Sequence, residues 1–327
     1  MKKISVVVPC YNEEHSVTEL YDRVRKIFEE QLKEYAYEII YVDDYSGDHT
    51  REILRELCER DRQHVRAVFN AANFGFSRNI FSTLSQAEGD AAFLVFGDLQ
   101  DPPELLPQFV EKWEQGARVV IGQKTKSAEN KWMVFMRKLY YLMINGLSDT
   151  RQIRQFNGYG LYDRKFIDIV RQIDDLQPYL KAVVAEYGSD YEVVPYAHQK
   201  SGRGKSNFNL YKNYDFAMEG ITSSTKKLMR IATFSGAGLG VASAVYGIYV
   251  IIRKLLFWSS YPMGMASLSV GIFLLGALQL FFIGILGEYV LSINTRTMRK
   301  PRVVIEERIN FENDADGKRD GDAGKEN

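Results

Sequence analysis

Two stretches of this chain carry no charged residue, 231–252 and 261–287. Each is longer than the roughly 20 apolar residues that cross a bilayer as a helix. Too little chain surrounds them to bury both inside a domain. Residues 231–290 therefore predict a pair of transmembrane helices. Lys226, Lys227 and Arg230 precede the first run, and Arg296, Arg299, Lys300 and Arg302 follow the second. The loop between them carries only Arg253 and Lys254. Basic flanks stay in the cytoplasm, so both termini are expected there. Residues 207–230 place Tyr211, Tyr214, Phe216, Met218, Ile221 and Leu228 in an amphipathic pattern. That predicts a helix lying on the membrane surface before the first span. Gly236 and Gly240 form a small-xxx-small pair suited to close helix packing.

Residues 1–206 read differently. Continuous β-rich runs at 4–8, 37–42, 65–70, 91–96 and 118–121 alternate with helical patterns at 17–33, 50–59, 77–86 and 105–115. Short loops join them. This alternation predicts an α/β domain on a doubly wound parallel sheet. Further short strands are expected around 156–162 and 190–195. The run 301–309, after the second span, is also β-rich, so 291–311 predicts a C-terminal strand segment. Residues 312–327 hold six acids, three bases and no aromatic residue, the composition of a disordered tail.

Acidic side chains gather where these strands end. Glu13 and Glu14 follow the first, Asp43 and Asp44 the second, Asp98 and Asp101 the fourth. In an open α/β sheet, ligands bind beyond the carboxyl ends of the strands. The fourth run stops at V-F-G-D-L-Q-D-P-P-E, residues 95–104. It offers oxygen ligands from Asp98, Gln100 and Asp101. Mg²⁺ prefers one or two carboxylates together with substrate phosphates, so this tip is a candidate for a metal and a diphosphate. A plain polar turn after a strand has the same composition. Carboxylates at the other tips suit ribose hydroxyls or a base N–H, or act as helix caps.

Several chemistries are excluded. Lys and Arg balance Asp and Glu at 42 each, so no basic face for nucleic acid is expected. Cys10 and Cys58 are the only cysteines; neither a disulfide framework nor zinc spacing follows. The turn after the first strand has no glycine, so the dinucleotide fingerprint is absent. Gly204-Lys205-Ser206 resembles the end of a P-loop, but Gln199 stands where its first glycine belongs. The N-terminus lacks a signal-peptide pattern. His15, His49, His64 and His198 form no triad spacing. The loop 198–206 carries Lys200, Arg203 and Lys205 among glycines. It reads as a phosphate-binding flap or as an exposed basic loop. Residues 124–138, with Trp132, Phe135 and Arg137, are basic and aromatic and fit either a membrane-facing helix or a solvated face.

Six segments together resemble the family 2 glycosyltransferases, and within them the polyprenyl-phosphate glycosyltransferases. They are V-V-V-P-C-Y-N-E-E (6–14), I-I-Y-V-D-D-Y-S-G-D-H-T (39–50), N-F-G (73–75), D-L-Q-D-P-P-E-L (98–105), L-Y-D-R (161–164) and G-R-G-K-S (202–206). The resemblance implies a glycosyltransferase A-type fold, a UDP-hexose or related nucleotide-sugar donor, Mg²⁺ or Mn²⁺, and undecaprenyl phosphate as acceptor. It implies a donor site lined by Pro9, Tyr11, Glu13, Asp43, Asp44 and Asn73. Asp98 and Gln100 are implied to hold the metal, and Arg203 and Lys205 to meet phosphates, with Asp101 as a positioning carboxylate. It further implies a bacterial plasma-membrane enzyme that assembles as a homo-oligomer, a tetramer in similar proteins. In those tetramers a strand like 301–309 contacts a neighbour.

Three departures from the family pattern stand out. Phe96 occupies the first position of a D-x-D motif, Tyr45 replaces a glycine, and Gly160 replaces an arginine on the acceptor side. Two other readings compete with the transferase. One is a binding protein that retains the nucleotide sugar without turnover. The other is a polysaccharide synthase, disfavoured because no tryptophan follows an arginine.

Overall fold

The computed structural model describes residues 1–125, 153, 155–176, 178–188, 191–197, 265–297 and 300–311, with isolated positions 238, 245, 249, 252 and 256. Residues 126–138 with Arg137, the loop 198–206 with Arg203 and Lys205, the helix expected over 207–230, nearly all of the first apolar run and the tail 312–327 lie outside the described residues. The chain divides into two units. One comprises Met1–Lys131, Gln152–Phe208 and Arg299–Asn327, the other Trp132–Arg151 and Asn209–Met298.

The first unit is a mixed sheet with helices on both faces. Four parallel strands form its centre: β1 (Lys3–Cys10), β2 (Ala36–Asp43), β3 (Val65–Asn70) and β4 (Ala91–Leu94). Their apolar runs are continuous because both faces are covered; Ile4, Val6, Val7 and Val8 are all buried. The connecting helices are α1 (Val17–Glu30), α2 (Thr50–Arg60) and α3 (Phe76–Ser85). α1 buries Val17, Leu20, Tyr21, Val24, Ile27 and Phe28, the spacing of one helical face. A 3-10 turn at Pro103–Leu105 leads into α4 (Leu106–Glu114).

The expected all-parallel sheet is corrected beyond β4. Strand order is β7-β5-β6-β4-β1-β2-β3-β8. β6 (Gly160–Asp163) runs antiparallel between β4 and β5 (Val119–Lys124), and β7 (Glu192–Tyr196) is parallel to β5. α5 (Arg164–Gln172) and α6 (Leu180–Tyr187) lie between β6 and β7 in the chain. Glycine permits this insertion. A Cβ on Gly160 would stand 2.5 Å from the Val120 carbonyl oxygen, and one on Gly122 would stand 2.2 Å from the Tyr159 ring. Gly160→Ala is therefore expected to lower stability by about 1–3 kcal/mol through overpacking against backbone. Denaturant unfolding of the purified protein measures it.

An edge-to-face ring chain supports this half of the sheet. Tyr159 packs 5.4 Å from Phe93, 5.1 Å from Phe109 and 5.1 Å from Tyr196, centroid to centroid. At the other edge, β8 (Ile305–Ile309) pairs antiparallel with β3 of the same chain. Its Glu306 and Glu307 meet Arg51 at 2.6 Å and Arg55 at 2.7 Å. Both guanidinium groups lie over Phe69. Asn310 donates to the Cys58 and Val65 carbonyls, each at 2.9 Å. The strand whose resemblance pointed to a neighbouring subunit thus covers its own sheet edge.

In the second unit, α7 (Met265–Thr297) is one helix of 33 residues. At 1.5 Å per residue it is about 50 Å long. Leu268, Ile272, Leu275, Ile283 and Leu286 are exposed on it. Counting only residues whose side chains are described, no helix is long and apolar enough to cross a membrane. The full sequence of α7, however, carries no charge from Met265 to Gly287.

Candidate functional site

The loops that follow β1 and β2 are built as one unit. The Asn12 N–H donates to Ser46 Oγ at 2.8 Å, and the Gly47 N–H donates to Asn12 Oδ1 at 2.8 Å. The Glu13 N–H donates to Thr50 Oγ1 at 2.7 Å. Asn12, Tyr45 and Leu99 all adopt left-handed backbone, with φ of 56°, 64° and 56°. Non-glycine residues avoid that region unless surrounding contacts enforce it. All three sit just past strand ends, one each after β1, β2 and β4. The tyrosine at 45 therefore holds a conformation in which glycine would be at ease.

Glu14 and His49 clasp the two loops from outside. His49 Nδ1 lies 2.9 Å from Glu14 Oε2, and the His49 N–H donates to the same oxygen at 3.0 Å. The backbone bond from His49, and then its side chain, hold the Glu14 carboxyl below its usual range. The Glu14 side chain in turn raises the imidazole above its ordinary 6.5. Stability from His49 is fully present below that ordinary value and lost as pH rises through the raised one. Stability from Glu14 is present above its ordinary 4.5 and lost as pH falls through the lowered one. NMR titration is expected to place His49 above 6.5 and to lower it in Glu14→Gln, with Glu52 and Asp48 still raising it.

Asp43 and Asp44 are both buried, and both hold loops. Asp43 accepts from the Ser46 N–H at 3.1 Å and from the Ser46 hydroxyl, with Arg51 Nε 3.6 Å away. Asp44 accepts from the Phe74 N–H at 3.0 Å, the Gly75 N–H at 2.8 Å and Asn70 Nδ2 at 2.9 Å. Burial raises both carboxyls, against the opposing pull of those hydrogen bonds. The family resemblance gave these carboxylates to the donor site; the hydrogen bonds above also tie them to Ser46, Asn70, Phe74 and Gly75. Of the other residues expected to line it, Pro9 is buried opposite Val42, while Tyr11 and Asn73 are exposed. Glu13 is buried, accepts from Ser16 Oγ at 3.1 Å, and packs over Gly97.

The β4 tip holds the candidate metal ligands. Phe96 is nearly buried and stacks on Phe76, centroids 5.5 Å apart. Its ring fills the position of a first metal-motif carboxylate. Asp98 and Gln100 are partly buried, and the Gln100 N–H donates to Asp98 Oδ1 at 3.1 Å. Among the described residues, no three His, Cys, Asp or Glu side chains gather as a metal cage. One carboxylate and one amide oxygen on a tight turn fit instead a cation completed by substrate phosphates and water. Asp101 is the carboxylate expected to act by positioning. It is 1% exposed and accepts from Asn157 Nδ2 at 2.8 Å and from the Tyr196 hydroxyl. Lys124 Nζ lies 3.9 Å from it. With Tyr159 donating to the Pro102 carbonyl at 2.6 Å, Asp101 ties the tip to the ring chain below.

Asn157, Tyr196 and Lys124, the partners of Asp101, were missed by sequence reasoning. They come from segments distant in sequence that the pairing of β5, β6 and β7 brings together.

The description "Glycosyl transferase family 2" matches residues 5–188. The bactoprenol glucosyl transferase of Shigella phage SfX is 32% identical over 94% of this chain and 99% of its own length. The undecaprenyl-phosphate 4-deoxy-4-formamido-L-arabinose transferase of Proteus mirabilis (strain HI4320) is 28% identical, covering 94% of each chain. Among solved structures, glucosyl-3-phosphoglycerate synthase from Mycobacterium tuberculosis, in complex with Mn²⁺, UDP and phosphoglyceric acid, reaches a TM-score of 0.46. It is 18% identical over 68% of this chain and 76% of that one, too distant to build on. The family match spans more than half of the residues, and the phage relative aligns along nearly its whole length. This chain belongs to glycosyl transferase family 2 and is a sugar-transferring enzyme.

Proposed function

We propose that this enzyme moves a hexose from a nucleotide sugar, UDP-glucose or a close relative, to undecaprenyl phosphate at the cytoplasmic face of a bacterial plasma membrane. The observation that carries this reading is the relatives' coverage. Proteins named bactoprenol glucosyl transferase align over 93–94% of the chain, including its apolar C-terminal part. The 23-residue charge-free portion of α7 supports a membrane anchor, as do the apolar side chains exposed along it. The reading extends to two spans, cytoplasmic termini and a homo-oligomer.

The chemistry follows from the acceptor. A phosphate monoester has a second pKa of about 6 and is largely dianionic at pH 7. Its oxygen attacks the sugar C1, and the C1–O bond to the nucleoside diphosphate breaks with inversion. The electron pair leaves on the diphosphate. No protein base is needed, consistent with four scattered histidines. Asp98 and Gln100 would hold a divalent cation, which offsets charge on the departing diphosphate. Glu13 and the linked 11–16 and 44–50 loops wall the nucleoside side, and Asp101 fixes the Pro102-Pro103 turn.

The test uses purified protein in detergent with undecaprenyl phosphate, Mg²⁺ or Mn²⁺, and a panel of labelled nucleotide sugars. Label is counted in the organic phase. Transfer from one donor, abolished by chelator, supports the reading and names the sugar. A donor that binds without labelling lipid would sink it.

A further inference from the structure

Arg51, the second residue of α2, meets β8, β2 and β3 together. Its Nη2 lies 2.6 Å from Glu306 of β8. Its Nε lies 3.6 Å from the carboxylate of Asp43, which ends β2. The guanidinium carbon stands 5.1 Å from the centre of the Phe69 ring in β3 and 5.6 Å from that of Tyr45. These contacts leave the Arg51 side chain 19% exposed.

The contacts continue inward. The Ser46 hydroxyl donates to Asp43 and accepts from the Asn12 N–H at 2.8 Å. A polar path thus runs from β8 through Arg51, Asp43 and Ser46 to the loop after β1. Tyr45 stands beside it, half exposed and with φ of 64°. A non-glycine residue stays in that region only where its surroundings hold it, and a guanidinium over its ring supplies part of the hold. Arg55, one turn further along α2, makes the parallel pair with Glu307 at 2.7 Å and also lies over Phe69. Among the described residues it meets no group of the 43–50 loop. Two like ion pairs therefore fasten β8 to α2, and one of them reaches the loop.

We propose that Arg51 is a positioning residue for the sugar donor, through which the edge strand β8 sets the 43–50 loop. The proposal rests on the donor being a nucleotide sugar bound beyond the carboxyl ends of β1 and β2, where open α/β sheets hold their ligands. β8 lies at the sheet edge with β3 between it and β2. It starts at Ile305, soon after α7 ends at Thr297. The last strand of the chain thereby adjusts loops that follow the first two. An exposed ion pair is weak in itself; its part here is to fix where the guanidinium stands.

The test uses the purified full chain. Glu306→Gln is expected to raise the donor KM about threefold, the scale of one exposed ion pair. Arg51→Met should raise it about tenfold, the scale of one charged hydrogen bond. The acceptor KM should hold within about twofold in both, because the loop serves the donor. Glu307→Gln breaks the parallel pair with Arg55 and should leave the donor KM as it is. Glu306→Gln combined with Arg51→Met should match Arg51→Met alone, since the glutamate acts through the arginine. An unchanged donor KM in Arg51→Met, an equal rise in Glu307→Gln, or losses that add in the double variant overturn the proposal. Hydrogen exchange of the 43–50 segment needs no turnover. It should quicken in Glu306→Gln and in Arg51→Met but not in Glu307→Gln. Exchange unchanged in Glu306→Gln overturns the proposal, and this exposed site keeps the test open should Arg51→Met not fold. If wild-type protein labels no lipid, the transfer reading fails by itself, and the exchange arm still judges Arg51.

Discussion

Asp98→Ala is expected to lower sugar transfer by at least about 100-fold, with the melting temperature nearly unchanged. The magnitude follows from removing one preorganised electrostatic contact at a centre where charge develops. The near-constant stability follows from position. Asp98 is only partly buried, and the Gln100 N–H that donates to it lies two residues on. Phe96 sharpens the expectation. With an aromatic ring where a second carboxylate is usual in the family, Asp98 is the one acidic group of the motif left for a cation. Isothermal titration with Mn²⁺ and UDP separates the roles. The variant should lose metal-dependent UDP binding while keeping a folded circular dichroism spectrum. Full activity in Asp98→Ala would remove the metal from the mechanism.

Asp44→Ala should do the reverse, costing about 3 kcal/mol of stability by leaving buried donors unpaired. The Phe74 and Gly75 N–H groups and the Asn70 amide all give to this carboxylate. For a unit of this size the unfolding midpoint should fall by roughly 6–12 °C. Asp44→Asn should be milder, since an amide oxygen still accepts while its NH₂ faces a donor. The pH sense is also fixed. Burial raises the Asp44 carboxyl, so its titration favours the fold below the ordinary 3.8 and loses that contribution as pH rises through the raised value. Wild type should therefore gain on Asp44→Asn as pH falls. A variant that melts normally yet binds donor poorly would show that Asp44 contacts the ligand rather than holding the loop.

The central strands were legible because burial on both faces writes itself as unbroken Val and Ile. Runs 4–8, 37–42 and 65–70 lie within β1, β2 and β3. The acidic residues at their ends were legible too, since strand direction in an α/β alternation fixes which tips share an edge. The insertion of β6 was not. Its neighbours are 72 and 43 residues away in register, Ala91 with Asp163 and Val119 with Tyr162, and two glycines carry no hydrophobic signal. Nor could sequence show that Asp44 accepts from the Phe74 and Gly75 N–H groups, which lie 30 and 31 residues further along the chain.

The strand β8 has a practical consequence for anyone preparing a soluble catalytic fragment. It reaches the sheet only after the chain has passed through α7. A fragment stopped at residue 206 keeps every strand-tip residue of the candidate site but strips the cover from β3. The backbone N–H and C=O groups that now meet Ile305–Ile309 would face water along a bare edge, with Phe69 and its two arginines losing Glu306 and Glu307. Bare edges recruit other strands, so such a fragment should aggregate. Rejoining 300–311 through a polar linker restores the missing strand without α7.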